Sequence, residues 1–373
     1  MEKDVVINPW EVSGKIDYGR LIKDFGIKKM PDLPKQFNVN VLFRRGVVFA
    51  HRDFEKILDC IKNKKNFVMM TGLMPTGKFH FGHMLLAQQM IFYQKLGAKL
   101  YICVADIEAY NSRNQSLEES RKIAIEQYLT NYIALGLKPE NCDFYFQSER
   151  SDDGKKSNAY YRLASTFSRY ATFNEFKAVY GEITPGKMSS SLLQAADMFH
   201  LQLPEFEGGP IFTFIPVGID QDPHIRIARD MAGKYKDNKF FQISSTYHTF
   251  MPNLKGEGKM SSSDANSFIA LTDSTKEVET KIKKYAFSGG KDTLEEHRKK
   301  GGNPDVDVSF QYLKLFFEPD DKKLKKVEQD YKSGKLLTSE LKAYLTEKVN
   351  HFLKEHQGKR KLADKQIGKF LEK

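Results

Sequence analysis

From Phe67 onward, short apolar runs alternate with stretches of helical periodicity, and few folds accommodate that order. Phe67-Val-Met-Met-Thr71 reads as a buried strand ending at Gly72, and Met84 to Leu96 as a helix closed by Gly97. Leu100-Tyr-Ile-Cys-Val-Ala105 is a second strand. Ser116-Leu-Glu-Glu119 has the form of a capping box, and the helix it opens keeps Ile125, Leu129, Tyr132 and Ile133 on one face until Gly136. Asp143–Gln147 and Ile211–Ile215 read as further strands. Buried strands separated by such helices argue for a parallel sheet covered on both faces, and the class is α/β.

The rhythm breaks twice. Residues 149–207 are longer helical and irregular stretches, read as a helical insertion between two halves of the sheet. From about Asp273 strand-like runs vanish and Lys/Glu-rich helical segments take over. The expected division is therefore an N-terminal extension over 1–50, a catalytic domain over 51–272 containing the insertion, and an all-helical domain over 273–373. No run of about 18 apolar residues is present, so no membrane span is expected. Met1–Trp10 is too polar for a signal peptide, and Cys60, Cys103 and Cys142 form neither a zinc pattern nor a disulfide framework. A reducing, cytoplasmic compartment is expected. The net charge of +11, from 59 Lys+Arg against 48 Asp+Glu, suits a partner bearing phosphates without identifying one.

Chemistry concentrates in two motifs. Thr71-Gly-Leu-Met-Pro-Thr-Gly-Lys-Phe-His-Phe-Gly-His83 follows a strand and opens a helix, where an α/β sheet presents ligands. Gly72, Gly77 and Gly82 let backbone approach a bound group, the helix N-terminus favours phosphate, and His80 and His83 can donate to a triphosphate as its charge shifts. The competing readings are a zinc pair or two satisfied surface histidines; no third ligand with suitable spacing is near, and no metal site is assigned to side chains. Gly256-Glu-Gly-Lys-Met-Ser-Ser-Ser-Asp264 describes a mobile loop able to close on phosphates. Lys187-Met-Ser-Ser-Ser191 repeats five of its letters, but runs straight into a helical stretch and is read as coincidence. Glu108, Gln194, Asp197, Asp220 and Gln221 lie at or near strand ends, where they can hold an ammonium group and a ribose. Ile243-Ser-Ser-Thr246 beside an HxGH motif is similar to the second motif of small nucleotidylyltransferases, but Tyr247-His248 stands where those continue to an arginine.

HxGH early and KMSxS late in one nucleotide-binding fold resembles the class I aminoacyl-tRNA synthetases. In detail the chain resembles the tryptophanyl-tRNA synthetases of archaeal and eukaryotic type, through Asn8-Pro-Trp-Glu-Val12, Phe43-Arg-Arg-Gly46, Val217-Gly-Ile-Asp-Gln-Asp-Pro-His224 and Gly301-Gly-Asn-Pro-Asp-Val-Asp-Val308. Tyrosyl-tRNA synthetases share the fold and both signatures and are the nearest alternative; a non-catalytic RNA-binding relative is another. The resemblance implies a Rossmann-like core, ATP with Mg2+, L-tryptophan and tRNA(Trp) as partners, a helical anticodon-binding domain, and a homodimer with residues 149–207 at its interface.

Position by position, it implies that His80, His83, Lys259, Ser261 and Ser262 handle the triphosphate, with Ser263 and Met260 in the same loop. Gly72 and Gly82 would give the nucleotide close approach, and Gly218 and Asp220 would hold its ribose. Gln221 and Gln194 would meet the amino group of tryptophan, with Glu108 as an acidic pocket residue. The eukaryotic pattern places a Tyr and a Gln at the indole N–H; here Met70 and Cys103 stand there, and neither is a strong acceptor. Asp197, in an Ala-Ala-Asp triplet where bacterial members use an Asp, is the expected acceptor, with Met70 packed on the ring.

Overall fold

The computed structural model describes residues 6–7, 12–13, 17–256, 258, 260 and 264–372. A short hairpin of β1 (Val6–Ile7) and β2 (Val12–Ser13) precedes the main sheet. That sheet contains β3 (Lys28–Lys29), β4 (Val48–Arg52), β5 (Val68–Leu73), β6 (Lys99–Val104), β7 (Cys142–Phe146), β8 (Thr213–Gly218) and β9 (Ser244–His248), in the order β3-β4-β9-β8-β5-β6-β7. The five strands from β9 to β7 run parallel, while β4 and β3 add an antiparallel edge. The strands and helices expected between 67 and 147 are present with ends shifted by a few residues, including the helix Phe81–Lys95 and the Gly136 cap with φ of 114°.

Strand β9 escapes a hydrophobicity reading. In β9, Ser244, Ser245 and Thr246 are buried although polar. Ser244 Oγ donates to Asp53 O at 2.8 Å and Ser245 Oγ to Tyr247 Oη at 2.6 Å. Such bonds allow the two serines inside a sheet, whereas the buried Thr246 hydroxyl has no hydrogen-bond partner.

Chain order reverses between β5 and β8: the first half builds outward through β6 and β7, and the second through β9. The crossover between the halves contains the helices Gly154–Phe167, Phe173–Tyr180 and Pro185–Phe199, at the expected insertion. A ligand crevice belongs at such a reversal, at the carboxyl ends of the strands. The KMSSS copy at 187–191 lies within the Pro185–Phe199 helix, where Ser191 Oγ donates to Lys187 O at 2.9 Å.

After β9, the described elements are all helices, ending with the long Thr338–Ala363 helix and a short turn at Gly368–Leu371. They share one hydrophobic core with a face of the sheet, in which Phe81, Tyr312, Phe317 and Leu353 are buried together. The N-terminal part is fastened to them as well. Arg45 donates to Lys314 O at 2.5 Å and Glu318 O at 2.7 Å, and pairs with Asp321 at 2.6 Å. Among the described residues no helix is long and apolar enough to cross a membrane.

Candidate active site

The HxGH motif forms the N-terminus of the Phe81–Lys95 helix. His80 caps it: its Nδ1 accepts from Gly82 N at 3.1 Å, while His83 Nδ1 accepts from His80 N at 3.2 Å. Because each Nδ1 is an acceptor, each ring carries its proton on Nε2 when neutral. The rings stack with centroids 3.8 Å apart. Burial holds both uncharged, with His80 well below the ordinary histidine range and His83 lowered to about 4. Gly82 is required by this stack, since a Cβ there would lie 2.9 Å from His80 Cε1. Tyr128, carried on a π-helical turn over Ala124–Leu129, donates to Thr76 O at 2.9 Å and leaves its hydroxyl oxygen 3.4 Å from His83 Nε2. The result is a fixed pair of neutral N–H donors at a helix N-terminus, suited to an anion whose charge grows during reaction.

Two adjoining cavities open beside this pair. One, of about 420 Å3, is lined by Gly72, His80, Gly82, His83, Gln221 and Met260, together with Arg113, Tyr128 and His248. The other, of about 450 Å3, shares several of these and continues over Met70, Cys103, Glu108, Gln194, Asp197, Gly218 and Val217. The expected site residues from both halves of the sheet thus meet across the switch point. Asp220 is buried beside the wall, its Oδ2 accepting from Gln221 Nε2 at 3.1 Å. Gly218 admits that carboxylate, because a Cβ would lie 2.5 Å from Asp220 Oδ1. Lys259, Ser261, Ser262 and Ser263 lie outside the described residues.

Asp197 sits at the floor, 1% exposed. Its Oδ1 accepts from Tyr145 Oη and Tyr160 Oη, each at 2.8 Å, and its Oδ2 from Gln147 Nε2 at 2.8 Å. Burial pushes its pKa upward, and those hydrogen bonds pull against the shift. Glu108, on the helix Asp106–Arg113, is raised to about 7 by burial first and by Asp197 second, with Arg113 opposing.

Gln147, Arg113 and His248 were not singled out by sequence reasoning. Gln147 follows the last residue of β7, so its place at the carboxyl edge was the available signal. His248 ends β9, and its Nδ1 is 3.2 Å from Gln89 Nε2. No group of three or more His, Cys, Asp or Glu side chains able to hold a metal ion occurs among the described residues.

A switch-point crevice with an HxGH pair at its helix N-terminus defines the catalytic core of class I aminoacyl-tRNA synthetases, and the family model "tRNA synthetases class I (W and Y)" matches residues 62–354. A tryptophan–tRNA ligase of Methanocaldococcus jannaschii is 42% identical over 98% of both chains. The crystal structure of tryptophanyl-tRNA synthetase from Aeropyrum pernix superposes with a TM-score of 0.88 at 40% identity, covering 95% of this chain and 96% of that one. A tryptophan-bound synthetase from Encephalitozoon cuniculi gives 0.81 at 30% identity, with 95% and 98% covered. The chain belongs to the tryptophan–tRNA ligase family. It is an ATP-using aminoacyl-tRNA synthetase, and neither the tyrosyl nor the non-catalytic reading is favoured.

Proposed function

We propose that the two adjoining cavities are where this ligase joins L-tryptophan to ATP, and then to tRNA(Trp). The observation that carries the reading is the stacked, neutral His80–His83 pair facing a cleft that continues into a pocket lined by both apolar side chains and the polar Glu108, Gln194 and Asp197. The tryptophan carboxylate attacks the α-phosphorus of ATP, the bond to the bridging oxygen breaks, and pyrophosphate leaves. His80 and His83 donate from Nε2 to the phosphate oxygens that gain charge, and the helix N-terminus adds its partial positive charge. Lys259, Ser261, Ser262 and Ser263 close on the same phosphates. Gly72, Gly82 and Met260 border the nucleotide, while Gly218 and Asp220 hold the ribose. Gln194, Gln221 and Glu108 receive the amino group; Met70 and Asp197 belong to the indole end. No protein nucleophile is required, so positioning and charge stabilisation do the work.

No cage of His, Cys, Asp or Glu side chains occurs among the described residues, so magnesium would enter with the nucleotide phosphates and would neutralise part of their charge when bound. The tRNA terminal 2′-hydroxyl then attacks the adenylate carbonyl and releases AMP. The protein works in the cytoplasm as a homodimer joined through residues 149–207. Within it, residues 1–50 form an extension, 51–272 the catalytic domain and 273–373 a helical domain that meets the anticodon.

Amino-acid-dependent exchange of pyrophosphate into ATP tests the chemistry. Exchange with tryptophan and little with tyrosine is expected; exchange with neither, or with tyrosine alone, overturns the reading. Sedimentation equilibrium tests the dimer.

A further inference from the structure

Gln147 is 1% exposed, yet its side-chain oxygen Oε1 has no hydrogen-bond partner. Every other polar atom of the residue is engaged: N donates to Val104 O at 3.0 Å, O accepts from Tyr161 Oη at 2.7 Å, and Nε2 donates to Asp197. The orientation of the amide is not arbitrary. A carboxylate only accepts, so Asp197 can be satisfied only by the NH2 end of Gln147, and Oε1 must turn elsewhere.

Asp197 itself has little left to offer a ligand. A carboxylate accepts at about four positions; two tyrosine hydroxyls and the Gln147 amide take three, and the Cys103 thiol is a further partner. Gln147 lines the same cavity as the apolar Met70, Ile215 and Val217, alongside Cys103 and Asp197, so its lone acceptor belongs to a residue at that wall. Leaving a buried acceptor empty is costly, and a ligand that fills it is favoured. The matching ligand is a flat apolar ring carrying a single N–H donor, which is the chemistry of indole.

We propose that Gln147 Oε1 receives the indole N–H of tryptophan and that Asp197 is a positioning residue that fixes the Gln147 amide. This rests on the cavity being the amino-acid site. It replaces Asp197 as the direct acceptor, and it supplies the acceptor that Met70 and Cys103 lack.

The test compares tryptophan with 3-benzothienylalanine, in which sulfur replaces the N–H, by pyrophosphate exchange on the full chain. The unaltered protein should favour tryptophan in kcat/KM by roughly 10- to 100-fold, the usual effect of one buried hydrogen bond. In Gln147→Met, similar in size but without the carbonyl, that ratio should fall to about one. A purely structural role would depress both substrates together and leave the ratio unchanged, which overturns the proposal. A preserved ratio in Gln147→Met returns the role to Asp197 and also overturns it. If Gln147→Met does not fold, Gln147→Asn, which withdraws the carbonyl by one methylene, must lower the ratio. No exchange with tryptophan in the unaltered protein is a different result, since it removes the amino-acid site itself.

Discussion

The tightest constraints are set between neighbours in the chain. Gly82 is fixed by the His80 ring, so Gly82→Ala should push that ring out of its stack. We expect a fall in the pyrophosphate-exchange rate of about 100-fold or more, on the scale of losing one aligned donor to a charged transition state, with circular dichroism unchanged. Glu108 gives a pH prediction. Burial raises its pKa from the usual 4.5 to about 7, so the empty folded protein prefers the protonated acid. Its contribution to stability is therefore fully present below about 4.5 and is lost as pH rises through about 7. Binding an ammonium reverses that preference. The KM for tryptophan should thus fall as pH rises from 6 to 8, and Glu108→Gln should flatten the profile in steady-state exchange assays. Two side-chain roles required the fold. Gly82 reads in the sequence as room for a ligand, whereas its Cβ space is taken by a neighbouring ring. Gln147 had no motif to mark it.

Elements are held in register by buried polar links as much as by apolar packing. Arg150, 1% exposed, ties β7 to the insertion: its Nη2 donates to Asp143 Oδ2 at 2.9 Å and its Nε to His200 Nε2 at 2.8 Å. The guanidinium also lies over the Tyr145 ring, 4.0 Å from its centroid. Tyr145 in turn donates to Asp197, so this layer supports the floor of the cavity proposed to take the indole. Arg150→Ala leaves the half-buried Asp143 and the buried His200 without their cation and should destabilise the protein by about 3 kcal/mol in urea denaturation. Strands β5 to β7 are legible in the sequence because they are apolar and separated by helices. Strand β9 is not, because its buried Ser244 and Ser245 hydroxyls are satisfied by the Asp53 carbonyl and the Tyr247 hydroxyl, which hydropathy does not register.

Across the whole molecule, the charge of +11 acquires a phosphate-bearing partner, tRNA, through the family. Binding of tRNA through phosphates releases counterions, so the KM for tRNA should climb steeply between 50 and 200 mM KCl. The KM for tryptophan, set in a buried pocket, should stay nearly constant over the same range; parallel aminoacylation assays check both. The alternation of strands and helices, the HxGH helix start and the class of chemistry were decided by the sequence alone, since the first two depend on residues a few positions apart and the third on two short motifs read together. The mixed edge of the sheet, the reason for Gly82 and the floor of the proposed amino-acid pocket were decided only by the tertiary structure. Met70, Cys103, Gln147 and Asp197 come from β5, β6, the end of β7 and the insertion. What each can offer a ligand depends on which of its hydrogen bonds the others have already taken.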